Sequence, residues 1–269
     1  MTPNRLLTML YCLTLFVIIS MKHREQRAYV TLMSGLLPSA RLFGLWRMPR
    51  LSPRMFDAAG CFLLAMLALG VLEIFTQFAL LLAIPAYFFY FGQIRTMSYI
   101  GRKSNLIPQF LFVIGLTHFA SLFGHTYATT LWAILVLKMI VIQVYISGAY
   151  SKLRNSGFAW LQAQQFQGVL LHQDLLLDIP IARLLAGNTL FCTLIPPLIL
   201  LHQLTFPLSL IATSVEPFYV VAALLFHIGT FVVMKINYLV YHAPCYIVFA
   251  VVPFTRYLMA HHYAWCHSL

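Results

Sequence analysis

A chain of 269 residues that is 61% hydrophobic and 9% charged, with a mean hydropathy of +0.86, is not an ordinary water-soluble domain. Its formal charge of +11 does not indicate nucleic acid, because seven of the 17 basic residues (Lys22, Arg24, Arg27, Arg41, Arg47, Arg50 and Arg54) fall in one segment between apolar runs, as on a cytoplasmic, lipid-facing surface. Several apolar runs reach the roughly 20 residues a spanning helix needs, and none alternates as a barrel strand would, so the expected fold is an all-α, polytopic integral membrane bundle of about eight spans with interfacial amphipathic helices.

In chain order, Leu6–Met21 is an apolar run after Arg5 with no small-residue cleavage site behind it, and it reads as a retained anchor or span. Residues 22–55 are basic but laced with Leu36-Leu37, Leu42-Phe43 and Leu45-Trp46, which predicts an interfacial helix lying on the membrane. Phe56–Leu72 and Ile74–Phe91 form two spans joined by a tight hairpin at Glu73. The basic connection 93–105 leads into Leu106–Phe123, and a turn at Gly124-His125-Thr126 opens the run from Thr129 to Lys152. The lysine and arginine bias places 22–55 and 93–105 in the cytoplasm, as expected in a bacterial inner membrane.

Residues 153–182 carry Trp160, glutamines at 162, 164 and 165, His172, Asp174 and Asp178, too polar to span and suited to a surface helix. Arg183–Leu204 spans again, with Pro196-Pro197 expected to kink or break it. About forty mostly apolar residues from Glu216 to Phe254, interrupted by Lys235-Ile236-Asn237, suffice for two helices or one broken one. The tail ends in the interfacial mixture His261-His262-Tyr263-Ala264-Trp265. With no repeat, the chain reads as one membrane domain: an anchor and basic segment over 1–55, a bundle over 56–255 and an interfacial tail over 256–269. The five cysteines lack metal or redox spacing and read as small core residues, so no metal is expected.

A charge inside a membrane-length segment is costly, which marks Lys138 as a buried partner or a functional group. Positions 138, 145 and 152 are heptad-spaced and drift only about 20° per step, so Lys138, Tyr145 and Lys152 share a helix face. Fourteen residues separate the two lysines by about 21 Å along the axis. An amine withdrawn from water is available as a base or nucleophile; the plainer alternatives are snorkelling for Lys152 and an ion pair for Lys138. His227 lies in an apolar run and Tyr238 returns to its face eleven residues on, an arrangement able to hold a proton or merely to satisfy a helix carbonyl. His118 and His242 carry the same alternatives.

Tyr145-x-x-Gly148-Ala149-Tyr150-Ser151-Lys152-Leu153, then Trp160 opening a surface helix, then Phe226-His227-Ile228-Gly229 before a last apolar hairpin, together resemble the HTTM superfamily, the membrane proteins related to the vitamin K-dependent γ-glutamyl carboxylase. The resemblance covers roughly residues 55–255. It implies that Lys152 is the base that deprotonates a reduced naphthoquinone-like cofactor, that His227 and Tyr145 share its pocket, and that Gly148, Tyr150, Trp160 and Tyr238 contact the cofactor. Three departures stand against a full match. Ser104 and Asn105 occupy the place of a second pocket histidine, the spacing across Arg154–Ala159 is longer, and no large lumenal domain follows before Leu269. Carboxylation of a docked protein is therefore not implied, while redox chemistry on a quinol stays open.

The competing expectation is a non-catalytic membrane subunit or binding protein. In it Lys138, Lys152, His227 and Lys235 would meet the carboxylates of a partner membrane protein or anionic headgroups of the lipid bilayer, because 17 basic residues face only 6 acidic ones. A transporter ranks below both, since neither repeated halves nor matched broken helices are visible.

Overall fold

The computed structural model describes residues 3–33, 41–42, 46–47, 51–95, 106–124, 127–235, 238, 242, 244–251 and 253. These are helical apart from turns and one two-residue antiparallel pair, Arg41↔Arg47 and Leu42↔Trp46, in agreement with the all-α expectation. The helices are α1 (Pro3–Met33), α2 (Pro53–Val71), α3 (Thr76–Arg95), α4 (Leu106–Ser121), α5 (Tyr127–Ser156), α6 (Ala163–Leu177), α7 (Pro180–Ala186), α8 (Thr189–Thr205), α9 (Leu208–Ile211) and α10 (Glu216–Met234). A 3-10 turn, Gly157–Leu161, extends α5, and residues 244–251 are helical again.

Four helical stretches are long and apolar enough to cross a membrane: Pro3–Leu32, Pro53–Val71, Thr129–Leu161 and Glu216–Met234. The pair α7 and α8, bent by 95°, makes a fifth if it counts as one broken span, and Thr76–Gly92 and Leu106–Ser121 are shorter apolar helices. The described residues thus supply four or five spans of full length where the sequence leads one to expect about eight. The basic connection 93–105 and the tail 256–269 fall largely or wholly outside them.

Contacts divide the chain into two compact units, Met1–Leu137 with Ala250–Leu269, and Lys138–Phe249. In the first, α1 packs on α2, α2 on α3 and α3 on α4. Ser52 caps α2, its hydroxyl accepting from the Met55 N–H, with Pro53 preset for the first turn. Left-handed backbone at Glu73 (φ 58°) and Phe75 (φ 46°) makes the tight hairpin between α2 and α3. The segment from Lys22 onward, expected as the start of an interfacial connection, is instead the continuation of α1. Its cause is a polar network: His23 Nε2 lies 3.1 Å from Asp57 Oδ1, Arg27 Nε donates to Asp57 Oδ2 at 2.8 Å, and His23 Nδ1 lies 2.9 Å from the Tyr90 hydroxyl. Gly60 leaves room for it, since a Cβ there would come within 2.9 Å of the His23 and Tyr90 rings.

In the second unit, α6 packs on α7 and α8, around a core of Leu170, Ala186 and Cys192 joined by Phe166, Phe191 and Met234. The break expected at Pro196-Pro197 lies earlier, at Gly187-Asn188, and both prolines sit inside α8. Asn188 is the physical reason: its Oδ1 accepts from the Phe191 N–H at 3.0 Å and so starts a new helix. α10 closes on Lys235 in the left-handed region (φ 54°).

Candidate functional site

Three levels of side chains lie along the C-terminal part of α5, all within the second unit. At the first, Lys138 Nζ donates to Glu216 Oε2 at 2.6 Å, with side chains only 12% and 7% exposed. The ammonium also lies 5.2 Å from the centre of the Phe249 ring. Glu216 is in the first turn of α10, where a carboxylate also meets the positive end of the helix dipole.

One heptad on, the Tyr145 hydroxyl lies 3.0 Å from His227 Nε2, and the Tyr246 hydroxyl 2.8 Å from the same nitrogen. The two phenols are also hydrogen-bonded to each other. A single imidazole nitrogen facing two hydroxyls forms a short chain of proton donors and acceptors, in which one phenol donates to Nε2 and accepts from the other. Stacking fixes the group: Tyr145 lies flat on Phe206 (centroids 4.2 Å, 7° between planes), and His242 lies on His227 at 4.9 Å. His242 Nδ1 is 3.1 Å from the Tyr238 carbonyl, to which it donates, and the Tyr238 ring is 5.4 Å from that of His227.

At the third level, Lys152 Nζ donates to Gln203 Oε1 at 2.9 Å and approaches the Gly148 carbonyl at 3.4 Å. It stands 5.3 Å from the Trp160 ring centre, in cation–π range. Among the described residues no carboxylate lies within salt-bridge distance of it. The amine borders a cavity of about 330 Å³, lined among others by Ser156, Trp160, Phe226, Thr230 and Tyr238. That volume lies within the range of small-molecule sites, which are mostly apolar with a few convergent polar groups.

Of the residues singled out by sequence, Lys152, Trp160 and Tyr238 meet at the cavity, and Tyr145 and His227 form the cluster beside Tyr238. Gly148 faces the Gln203 amide. Tyr150 is 60% exposed and does not line the cavity. Lys138 has its carboxylate within the chain, and Lys235 is exposed at the end of α10. His118 lies in the first unit, 2.8 Å from the Thr8 hydroxyl. Gln203, Glu216 and Tyr246 went unread in the sequence. Glu216 had a signal, as one of only six acidic residues at the head of an apolar run. Gln203 and Tyr246 had none, since their roles depend on which helices pack together. Among the described residues no cluster of metal-binding side chains exists. Comparison with family models, with curated proteins and with solved structures finds no match for this chain.

Proposed function

We propose that the chain is a polytopic integral membrane protein, HTTM-like, that binds a lipophilic quinol-like molecule in the Lys152 cavity and oxidises it with Lys152 as base. The membrane reading is supported by the inverted polarity of α10. Its exposed stripe is Phe218, Val221, Leu225, Ile228 and Val232, while the opposite face buries Tyr219 and His227. A soluble helix would be arranged the other way round. Such a protein fits a bacterial inner membrane, with its basic segments toward the cytoplasm.

The observation that carries the catalytic reading is the Lys152 amine, without a carboxylate partner among the described residues, at the edge of an aromatic-lined cavity. The donor set fits a flat ring with polar substituents: Trp160, Phe226 and Tyr238 offer ring contacts, and Ser156 and Thr230 offer hydroxyls. A reduced naphthoquinone-like molecule would supply two hydroxyl protons and two electrons, and dioxygen would take up both to leave as hydrogen peroxide. Lys152 Nζ takes the hydroxyl proton on its lone pair and becomes an ammonium, and the electron pair of the O–H bond stays on oxygen. Gln203 Oε1 and the Gly148 carbonyl keep Nζ aimed during that change. The chain of Tyr145, His227 and Tyr246 holds or passes on a proton one helix level away.

The test is consumption of reduced naphthoquinone by the purified protein in lipid nanodiscs, followed by absorbance with and without oxygen, beside quenching of Trp160 fluorescence against a Trp160→Phe control. Saturable quenching with oxygen-dependent turnover that vanishes in Lys152→Met is expected. Absence of both signals, or displacement of the quinol by anionic phospholipid at equal concentration, would overturn the reading in favour of a lipid-binding or subunit role.

A further inference from the structure

We propose that Gln203 is the positioning residue that holds Lys152 in place while leaving its charge uncommitted. The proposal deepens the function above and rests on Lys152 being the reacting amine. Gln203 is 5% exposed on α8, and its Oε1 accepts from Nζ at 2.9 Å. An amide oxygen can accept from an ammonium and also from a neutral amine, because both carry N–H donors. The hydrogen bond therefore survives loss or gain of the proton, and Nζ stays where the cavity needs it in both states. A carboxylate there would favour the ammonium alone. The same helix supplies the contrast at Lys138, whose partner is Glu216 at 2.6 Å.

The other groups around Nζ agree with this assignment. The Gly148 carbonyl at 3.4 Å is neutral and the Trp160 face at 5.3 Å is uncharged. Position 148 lacks a side chain beside the Gln203 amide, and a Cβ there would lie 3.5 Å from Nε2. Three uncharged contacts thus fix the amine in direction, and none of them supplies the full negative charge with which a carboxylate would hold it as an ammonium.

The experiment reads the amine itself, independently of turnover. Full-length protein in nanodiscs is treated at one alkaline pH with phenyl isothiocyanate, whose central carbon is attacked by a neutral amine to give a thiourea, and labelled lysines are quantified by peptide mass spectrometry. Lys152 is expected to label at least tenfold faster than Lys138. Gln203→Glu, nearly isosteric, is expected to lower Lys152 labelling at least tenfold while Lys138 labelling, the check on folding, stays unchanged. Gln203→Leu is expected to keep Lys152 labelled but to lower kcat for quinol oxidation, with KM little changed. Equal labelling of Lys152 in parent and Gln203→Glu, or labelling of Lys152 no faster than of Lys138, overturns the proposal. Labelling that follows the expected pattern in a protein that oxidises no quinol leaves the role of Gln203 standing and removes the proposed reaction instead.

Discussion

Lys138 and Lys152 ride on the same helix two heptads apart, and the second unit treats them in opposite ways. Lys138 is buried against Glu216 and packed over the Phe249 ring. Lys152 is held by an amide and a backbone carbonyl beside an aromatic face, with a cavity in front of it. A carboxylate partner in a low-dielectric setting fixes a lysine as a cation and spends its charge on structure. An amide partner fixes only where the nitrogen is. Two residues of the same type, on one face of one helix, thereby meet a carboxylate in one case and an amide in the other, and the difference lies in α8 and α10 rather than in α5.

Removing the carboxylate from the first lysine should have the largest effect on stability. Glu216→Leu strands Lys138, whose side chain is 12% exposed, and a broken buried pair costs about 3–5 kcal/mol. The expected outcome is a large drop in Tm of the purified protein, mostly restored by adding Lys138→Met. A single variant as stable as the parent would mean that Lys138 does not depend on Glu216, and the contrast between the lysines would fail. The level between them comes next. His227→Leu deprives a buried phenol of its acceptor and breaks the chain it forms with the second, a loss of about 2 kcal/mol that the remaining bond between Tyr145 and Tyr246 limits. Thermal unfolding should show the intermediate shift, and turnover should fall with it. Lys152→Met should cost only about 1 kcal/mol, because a hydrogen bond to a neutral partner is lost and no opposite charge is stranded. Oxygen uptake in the presence of quinol should nonetheless disappear. A stability loss as large as that of Glu216→Leu would instead make Lys152 a second structural charge.

Much of this arrangement was legible before any coordinates, for a physical reason. Heptad spacing puts Lys138, Tyr145 and Lys152 on one face in any helix, so their shared face followed from periodicity, while snorkelling stayed open for Lys152 and an ion pair for Lys138. Helix type and approximate bounds were legible in the same way. What each lysine meets was not. Gln203 lies 51 residues after Lys152, and Glu216 lies 78 after Lys138. Those distances in sequence are closed by the packing of α8 and α10, which depends on the break at Gly187-Asn188 that two prolines nearby had masked. The continuation of α1 past Met21 was hidden similarly, because Asp57, the carboxylate that His23 and Arg27 share, belongs to another helix.

The smallest expected effect tests the same contrast at its most local. The family resemblance implies that Gly148 approaches a cofactor, which would require a bare backbone there. The three atoms nearest a Cβ at 148 would all belong to the Gln203 amide, at 3.5, 3.7 and 3.8 Å, which are ordinary contact distances. Alanine also favours a helix interior over glycine by up to about 1 kcal/mol. Gly148→Ala should therefore leave Tm unchanged or slightly raised, keep the hydrogen bond between Lys152 and Gln203, and leave isothiocyanate labelling of Lys152 as in the parent. If turnover nevertheless falls by about tenfold, equivalent to about 1.4 kcal/mol in the barrier, the added methyl must obstruct the bound molecule, because Gln203 can accommodate it. In that case the glycine serves the ligand, and the backbone of α5 forms part of the binding surface. Unchanged turnover would confine the requirement at this level to the amine and the amide that aims it.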